Sequence, residues 1–283
     1  MLALSLLLMG VNVHGAVVGG LDREQLPSWP GHTDRRLLSA PLDRQHGERG
    51  AAYLRRLAVS IHRRMAVYWK LHDQAVPLKE NWLLHVMHYP LAVYRDYQFY
   101  DASRALRRGV GQCGQFALIG FDVLKRQGIP RSLVLLPGHT VLTATLDGRE
   151  VIVDPEFGVV IAHSLREVMA NPALVGPAYG ALDPADTPLK YEPKSALVNL
   201  DFVPPQQRAK EHPRRFSRRD VARFMVDVFS DAPRATFQNR PTASRMVVFE
   251  PISYVLKWLL PALGLALWPV ARGLRRIRRR PLA

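Results

Sequence analysis

The sequence predicts an α+β fold: a helix carrying the lone cysteine packs on an antiparallel sheet carrying a histidine and an aspartate, and a membrane helix follows near the C-terminus. Three observations predict it. Apolar residues recur at helical spacing up to about residue 127. The period then shortens to that of strands around Asp147-Gly148, a two-residue hairpin signal. Beyond residue 250 an apolar run ends in a cluster of arginines.

Along the chain, Leu2 to Val13 is an apolar run followed by His14, Gly15 and Ala16, the pattern of a secretory signal and its cleavage zone over residues 1–19. It lacks a basic leader, so a buried N-terminal helix or strand is the other reading. Residues 50–70 predict a helix, with Leu54, Leu57, Ile61, Met65 and Tyr68 on one stripe and paired arginines off it. A second helix is predicted over 78–88, entered after Pro77, and a third over 113–127, stopped by Gly128-Ile129-Pro130. Strands are predicted over 131–136, 139–146 and 149–154. Eight prolines between 171 and 213 predict loop and extended chain. Ser217-Arg218-Arg219-Asp220 opens a further helix with Val221, Phe224, Met225 and Val228 on one face.

Residues 251–271 carry one charge, Lys257, and as a helix would span ~30 Å, the depth of a bilayer core; an interfacial or buried helix is the other reading, because the uncharged stretch from Trp258 is only 14 residues. Trp258 and Trp268 are expected as interfacial anchors, Lys257 to snorkel, and Pro261 and Pro269 to be tolerated as in membrane helices. Arg272, Arg275, Arg276, Arg278, Arg279 and Arg280 make 272–283 a cytoplasmic tail by the positive-inside bias. The organisation is thus a signal or hydrophobic segment over 1–19, a catalytic domain over 50–200, a basic juxtamembrane region over 201–250, the span and the tail.

An apolar fraction of 48% provides a core and excludes a disordered polyelectrolyte. One cysteine excludes a disulfide scaffold and a zinc finger. The formal charge of +15 suggests nucleic acid until it is located. Residues 1–67 carry a net +4, residues 68–200 a net zero and residues 201–283 a net +11. The excess lies on the flanks, so the expected partner is a membrane and not nucleic acid.

Cys113 lies in Gly109-Val110-Gly111-Gln112-Cys113-Gly114, a glycine-rich turn entering a helix, where the partial positive charge of the helix end favours a thiolate. A buried structural cysteine is the alternative. The hairpin adds partners. With Leu146 paired to Arg149, Val141 lies opposite Asp154 and His139 is two positions away on the same face. His139 and Asp154 are then ~7–8 Å apart at the backbone and within side-chain reach. That makes a nucleophile, a base and an orienting acid in the order Cys113, His139, Asp154.

Gly111-Gln112-Cys113 heading a helix, the Gly128-Ile129-Pro130 turn, His139 opening a strand and Asp154-Pro155 closing the next resemble the transglutaminase-like cysteine enzymes of the papain-like superfamily, over roughly residues 70–165. Two features depart from those patterns: Thr140-Val141 follows His139 without the usual aromatic, and Arg107 stands where papain has a glutamine. The resemblance implies the transglutaminase-like core as fold, and acyl transfer through a thioester on Cys113 as chemistry. It implies an oxyanion held by the Cys113 N–H and a second donor, with Gln112 and Trp82 as candidates and Tyr89 beside them. A core tryptophan is the other reading of Trp82.

The expected substrate is a peptide or protein amide, with no cofactor and no metal. The expected location is a bacterial inner membrane with the catalytic domain periplasmic. The alternative function is a non-catalytic binding or assembly module of an envelope polymer or secretion system. His85 and His88 share a helix face without a third ligand, Gly109-Val110-Gly111 lacks the lysine of a phosphate loop, and no Gly-x-Ser-x-Gly elbow occurs.

Overall fold

Asp147 and Gly148 both adopt positive φ, 52° and 75°, the mirror-image turn that a two-residue hairpin demands. In the computed structural model this turn sits inside an α+β fold. The described residues are 2–19, 41–67, 75–91, 94, 97–182, 189–191, 196–198, 214–215, 217–230, 236–238 and 244–278. In order they form helix α1 (Leu2–Val18), α2 (Gly50–Arg64), strand β1 (Ala66–Val67), α3 (Trp82–Met87), α4 (Ala102–Arg108), β2 (Val110–Gly111) and α5 (Cys113–Arg126). Strands β3 (Arg131–Leu136), β4 (His139–Leu146), β5 (Arg149–Asp154) and β6 (Val159–Ile161) follow, then α6 (Leu165–Ala170), a 3-10 turn (Pro172–Val175) and α7 (Gly176–Gly180). Last come β7 (Leu189–Tyr191), β8 (Ala196–Val198), β9 (Arg214–Arg215), α8 (Arg218–Ser230), β10 (Thr236–Gln238) and α9 (Ser244–Arg278).

The chain divides into two compact units. One comprises Arg23–His72 and Gln98–Ser244. Its antiparallel sheet runs β3, β4, β5, β6 in sequence order, with β10 added at the β3 edge. The hairpin register is the expected one, Leu146 opposite Arg149 through to Leu142 opposite Val153. Helix α5 packs on β3 and β4, and α2 packs on α5 and β6. Gly120 permits that approach, since a methyl there would sit 3.0 Å from Leu142 Cδ2. Leu54, Leu57, Ile61, Phe116 and Ile119 are fully buried, each stabilising by about 1.5–3 kcal/mol relative to exposure. Val134, Val141 and Ile152 belong to a second buried cluster with Tyr179, Val221 and Met225, so α7 and α8 pack there.

Several elements differ from the sequence expectation. Helix α2 stops at Arg64 because Met65 turns extended into β1, and residues 68–70 lie outside the described ones. Helix α3 starts at Trp82, not near residue 78: the Asn81 side chain accepts from the Leu83 and Leu84 N–H groups and caps it there. The proline-rich stretch contains α7 and two strands besides loop. Helix α8 begins as read, with Ser217 and Asp220 bonding each other's backbone N–H groups.

The other unit comprises Met1–Asp22, Asp73–Tyr97 and Arg245–Ala283. Helix α9, 35 residues long, is apolar and long enough from Phe249 to Gly273 to cross a membrane. Pro261 has no N–H, so the carbonyl four residues earlier, that of Lys257, loses its helical donor. Two side chains replace it: Asn12 Nδ2 and, at 3.1 Å, Trp82 Nε1 both donate to the Lys257 carbonyl. Lys257 itself does not snorkel. Its ammonium is buried, donates to the Glu80 carbonyl and lies 5.0 Å from the Tyr254 ring.

Helix α1 buries Ser5, Asn12 and Gly15 while Leu4, Leu6, Leu7, Val13 and Val17 stay exposed. Helix α9 likewise buries Glu250, Ser253 and Lys257 and exposes Val255, Leu259 and Leu263. Both helices are polar towards their packing partners and apolar outward, the reverse of a helix on a water-soluble core.

Candidate active site

Cys113, His139 and Asp154 each stand at the end of an element. Cys113 is the first residue of α5, His139 opens β4 and Asp154 closes β5. Element ends carry side chains clear of the ladder that fixes the backbone, which lets three segments meet at one point. His139 Nε2 bonds Asp154 Oδ2 at 2.7 Å, and both residues are buried. The Cys113 sulfur lies within 4.8 Å of a nitrogen of the same imidazole and is half-buried. With Nε2 engaged by Asp154, Nδ1 is the nitrogen left to face sulfur.

The structure also brings in residues that sequence reasoning missed. Tyr179, from α7, donates its phenol to Asp154 Oδ2 at 2.6 Å. Asp154 Oδ1 accepts from the Glu156 N–H at 3.0 Å, so the carboxylate is held at both oxygens. Glu156 turns its own carboxyl towards the ring, with Oε2 3.6 Å from His139 Nδ1. The Cys113 sulfur, a His139 nitrogen and a Glu156 oxygen lie within 4.8 Å of one another.

Electrostatics follow from this crowding. Burial opposes a charged His139, but the hydrogen-bonded Asp154 carboxylate, the nearby Cys113 thiol and Glu156 outweigh it and raise the imidazole well above its usual pKa of 6.5. Burial pushes Glu156 up to about 7, with His139 and His62 opposing and Asp154 adding to the rise. Burial, then the Asp154 charge, raises Tyr179 well above 10, so its phenol stays protonated and able to donate.

Comparison of the chain with protein-family models, with curated protein sequences and with solved structures returns no match. Gln112 precedes the thiol in extended conformation, and its side chain makes no capping bond to α5. The first N–H groups of a helix have no intrahelical acceptor, so the Cys113 N–H is a free-standing donor beside the sulfur. Trp82 is in the other unit, and its indole N–H is already spent on the Lys257 carbonyl.

A different amide stands beside the start of α5. A methyl placed on Gly114 would meet Gln98 Oε1 at 3.0 Å and Nε2 at 3.2 Å. Gln98 is held there by its neighbour: Gln115 on α5 bonds both the N–H and the carbonyl of Phe99, at 2.7 Å each, and accepts from Arg108 at 3.0 Å. Of the signals set aside, His85 and His88 pack edge to face with centroids 4.9 Å apart, and His85 Nδ1 contacts the Val76 carbonyl.

Proposed function

We propose that the chain is a membrane-anchored cysteine enzyme acting on amide bonds through a thioester on Cys113. The observation that carries the reading is His139 bonded to the Asp154 carboxylate with the Cys113 sulfur within 4.8 Å of an imidazole nitrogen. Asp154 fixes the tautomer with the proton on Nε2, so the Nδ1 lone pair can take the thiol proton. The sulfur attacks the amide carbonyl carbon, and the oxyanion is met by the Cys113 N–H and a carboxamide, Gln112 or Gln98. Collapse breaks the C–N bond, and the leaving amine takes the proton from His139. Water, or an acceptor amine, then gives a proton to His139 and attacks the thioester, releasing acid or new amide and restoring the thiol. Water as acceptor makes the enzyme a peptidase or amidase; an amine makes it an acyltransferase. The transglutaminase-like core remains the fold this reading implies.

Anchoring by α9 at a bacterial inner membrane is supported by its length, its outward apolar face and the arginines that follow. Those arginines orient the tail to the cytoplasm and the Cys113 unit to the periplasm, which reporter fusions before Met246 and after Arg280 test directly. Folded protein should be alkylated by iodoacetamide at Cys113 near neutral pH, faster than a free thiol. Labelling only after denaturation would overturn the catalytic reading. A Cys113→Ala variant with full cellular function would instead favour a binding or assembly module. Trapping an acyl adduct on Cys113 from an envelope extract, identified by mass spectrometry, names the substrate.

A further inference from the structure

Glu156 has no part in the acyl-transfer steps, yet it is built into the site. It is 8% exposed, and among the described residues its buried Oε2 has no hydrogen-bond partner. That oxygen faces His139 Nδ1 at 3.6 Å, within the group formed with the Cys113 sulfur. Thiolate, imidazole and carboxylate are the three ligand types that zinc takes, and the sulfur disfavours magnesium and calcium. Two nitrogen or oxygen ligands on a tetrahedral zinc stand ~3.4 Å apart and a sulfur ~3.6 Å from either, so the His139–Glu156 pair at 3.6 Å needs a shift of a few tenths of an ångström and the Cys113 sulfur, within 4.8 Å, one of up to about 1 Å.

The surroundings fit as well. A zinc-bound imidazole donates its other N–H to a carboxylate, itself hydrogen-bonded in turn. Here Nε2 bonds Asp154, and Tyr179 bonds Asp154. Cys113 is half-buried, which leaves an approach for the ion and a fourth position for water.

The geometry points to a Zn²⁺ site formed by Cys113 Sγ, His139 Nδ1 and Glu156 Oε2, which holds the thiol closed while the metal is bound. Binding releases the thiol proton to solvent and changes no oxidation state. Sequence spacing did not suggest it, because positions 113, 139 and 156 match no compact ligand motif. The inference does not rest on catalysis: the same atoms would bind metal in a protein that turns nothing over.

The test uses the full chain in detergent, stripped with EDTA. Titration with Co²⁺ should give one ion per chain, with a thiolate-to-cobalt charge-transfer band and tetrahedral d–d bands, both displaced by Zn²⁺. Zn²⁺ should slow iodoacetamide labelling of Cys113 by at least about tenfold, and EDTA should restore it. Glu156→Gln keeps the shape and should weaken Zn²⁺ binding by about 100-fold; Tyr179→Phe, one shell out, by about tenfold. Absence of the charge-transfer band, or unchanged Zn²⁺ affinity in a folded Glu156→Gln, overturns the site. A stripped protein that is labelled at Cys113 but binds no zinc loses this inference and keeps the enzyme reading. A protein that binds zinc through Cys113 but is not labelled when stripped does the reverse.

Discussion

Tyr179 and His139 meet on one oxygen: the phenol reaches Asp154 Oδ2 at 2.6 Å and the imidazole reaches it at 2.7 Å. The carboxylate that orients the ring is therefore itself oriented from α7. Tyr179→Phe removes this bond and leaves the ring packed edge-on against Phe157. It should lower stability by about 1.5–3 kcal/mol in denaturant, the range for hydrogen bonds to charged groups. It should also slow iodoacetamide labelling of Cys113 several-fold with an unchanged far-UV spectrum. Labelling at the wild-type rate would mean that Asp154 needs no help to hold His139.

Gln98 and Gln112 compete for the role of oxyanion donor. Alkylation by iodoacetamide builds no oxyanion, whereas acylation by p-nitrophenyl acetate does. Alanine at the true donor should cut the acylation rate by about 10²–10³-fold and leave alkylation within about twofold. Gln98→Ala is the variant expected to do so, because its carboxamide rests against the first turn of α5. Equal losses in both assays would assign Gln98 to positioning Cys113 instead.

Glu48 gives the fold an acid limb. Arg56 grips both its oxygens at 2.8 Å and also holds the Asp43 carbonyl, fastening residues 43–48 to α2. That hydrogen bonding, opposed by burial, lowers the Glu48 pKa from 4.5 to about 2. A folded pKa below the unfolded one means stability that is present above 4.5 and is lost as pH falls towards 2. Glu48→Gln should flatten the decline across that window in pH-dependent urea unfolding. Superimposable acid limbs for the two proteins would refute it.

Helix α1 offers a paired test. A methyl on Gly15 would collide with the Lys79 carbonyl, while one on Gly10 meets nothing within 4 Å. Gly15→Ala should cost about 1–3 kcal/mol through overpacking. Gly10→Ala should be neutral, or stabilising by up to about 1 kcal/mol through helix propensity. Thermal unfolding in detergent separates them, and equal effects would mean that α1 does not pack on this loop.

The parts of this fold that were legible in the sequence depend on local chemistry. Asp147-Gly148 needs only its own positive φ angles, and from it the register brought His139 to Asp154. Gly128-Ile129-Pro130 ended α5 within one residue. Local chemistry also starts two short helices: Asp101 caps α4, and Ser164 with Glu167 forms a capping box for α6.

What was not legible depends on contacts distant in the chain. Tyr179 lies in a proline-rich stretch, on a five-residue helix too short to hold itself. Its one local sign is Pro177 near the helix start. Glu156 reaches His139 through the turn after β5, where strand periodicity no longer applies. Trp82 resembled an oxyanion donor because nothing near it in sequence reveals that Pro261, on another helix, frees a carbonyl for it.

That freed carbonyl also sets an order of events. Asn12 must wait for a residue 245 positions later before its bond to Lys257 can form. At ribosomal speeds of about 5–20 residues per second this is a delay of roughly 12–50 s. The unit that carries Cys113 is fully synthesised by Ser244, before Lys257 exists. The nascent chain thus carries α1, with Asn12 still unmatched, through the synthesis of the whole site-bearing unit before the helix that will accept it exists.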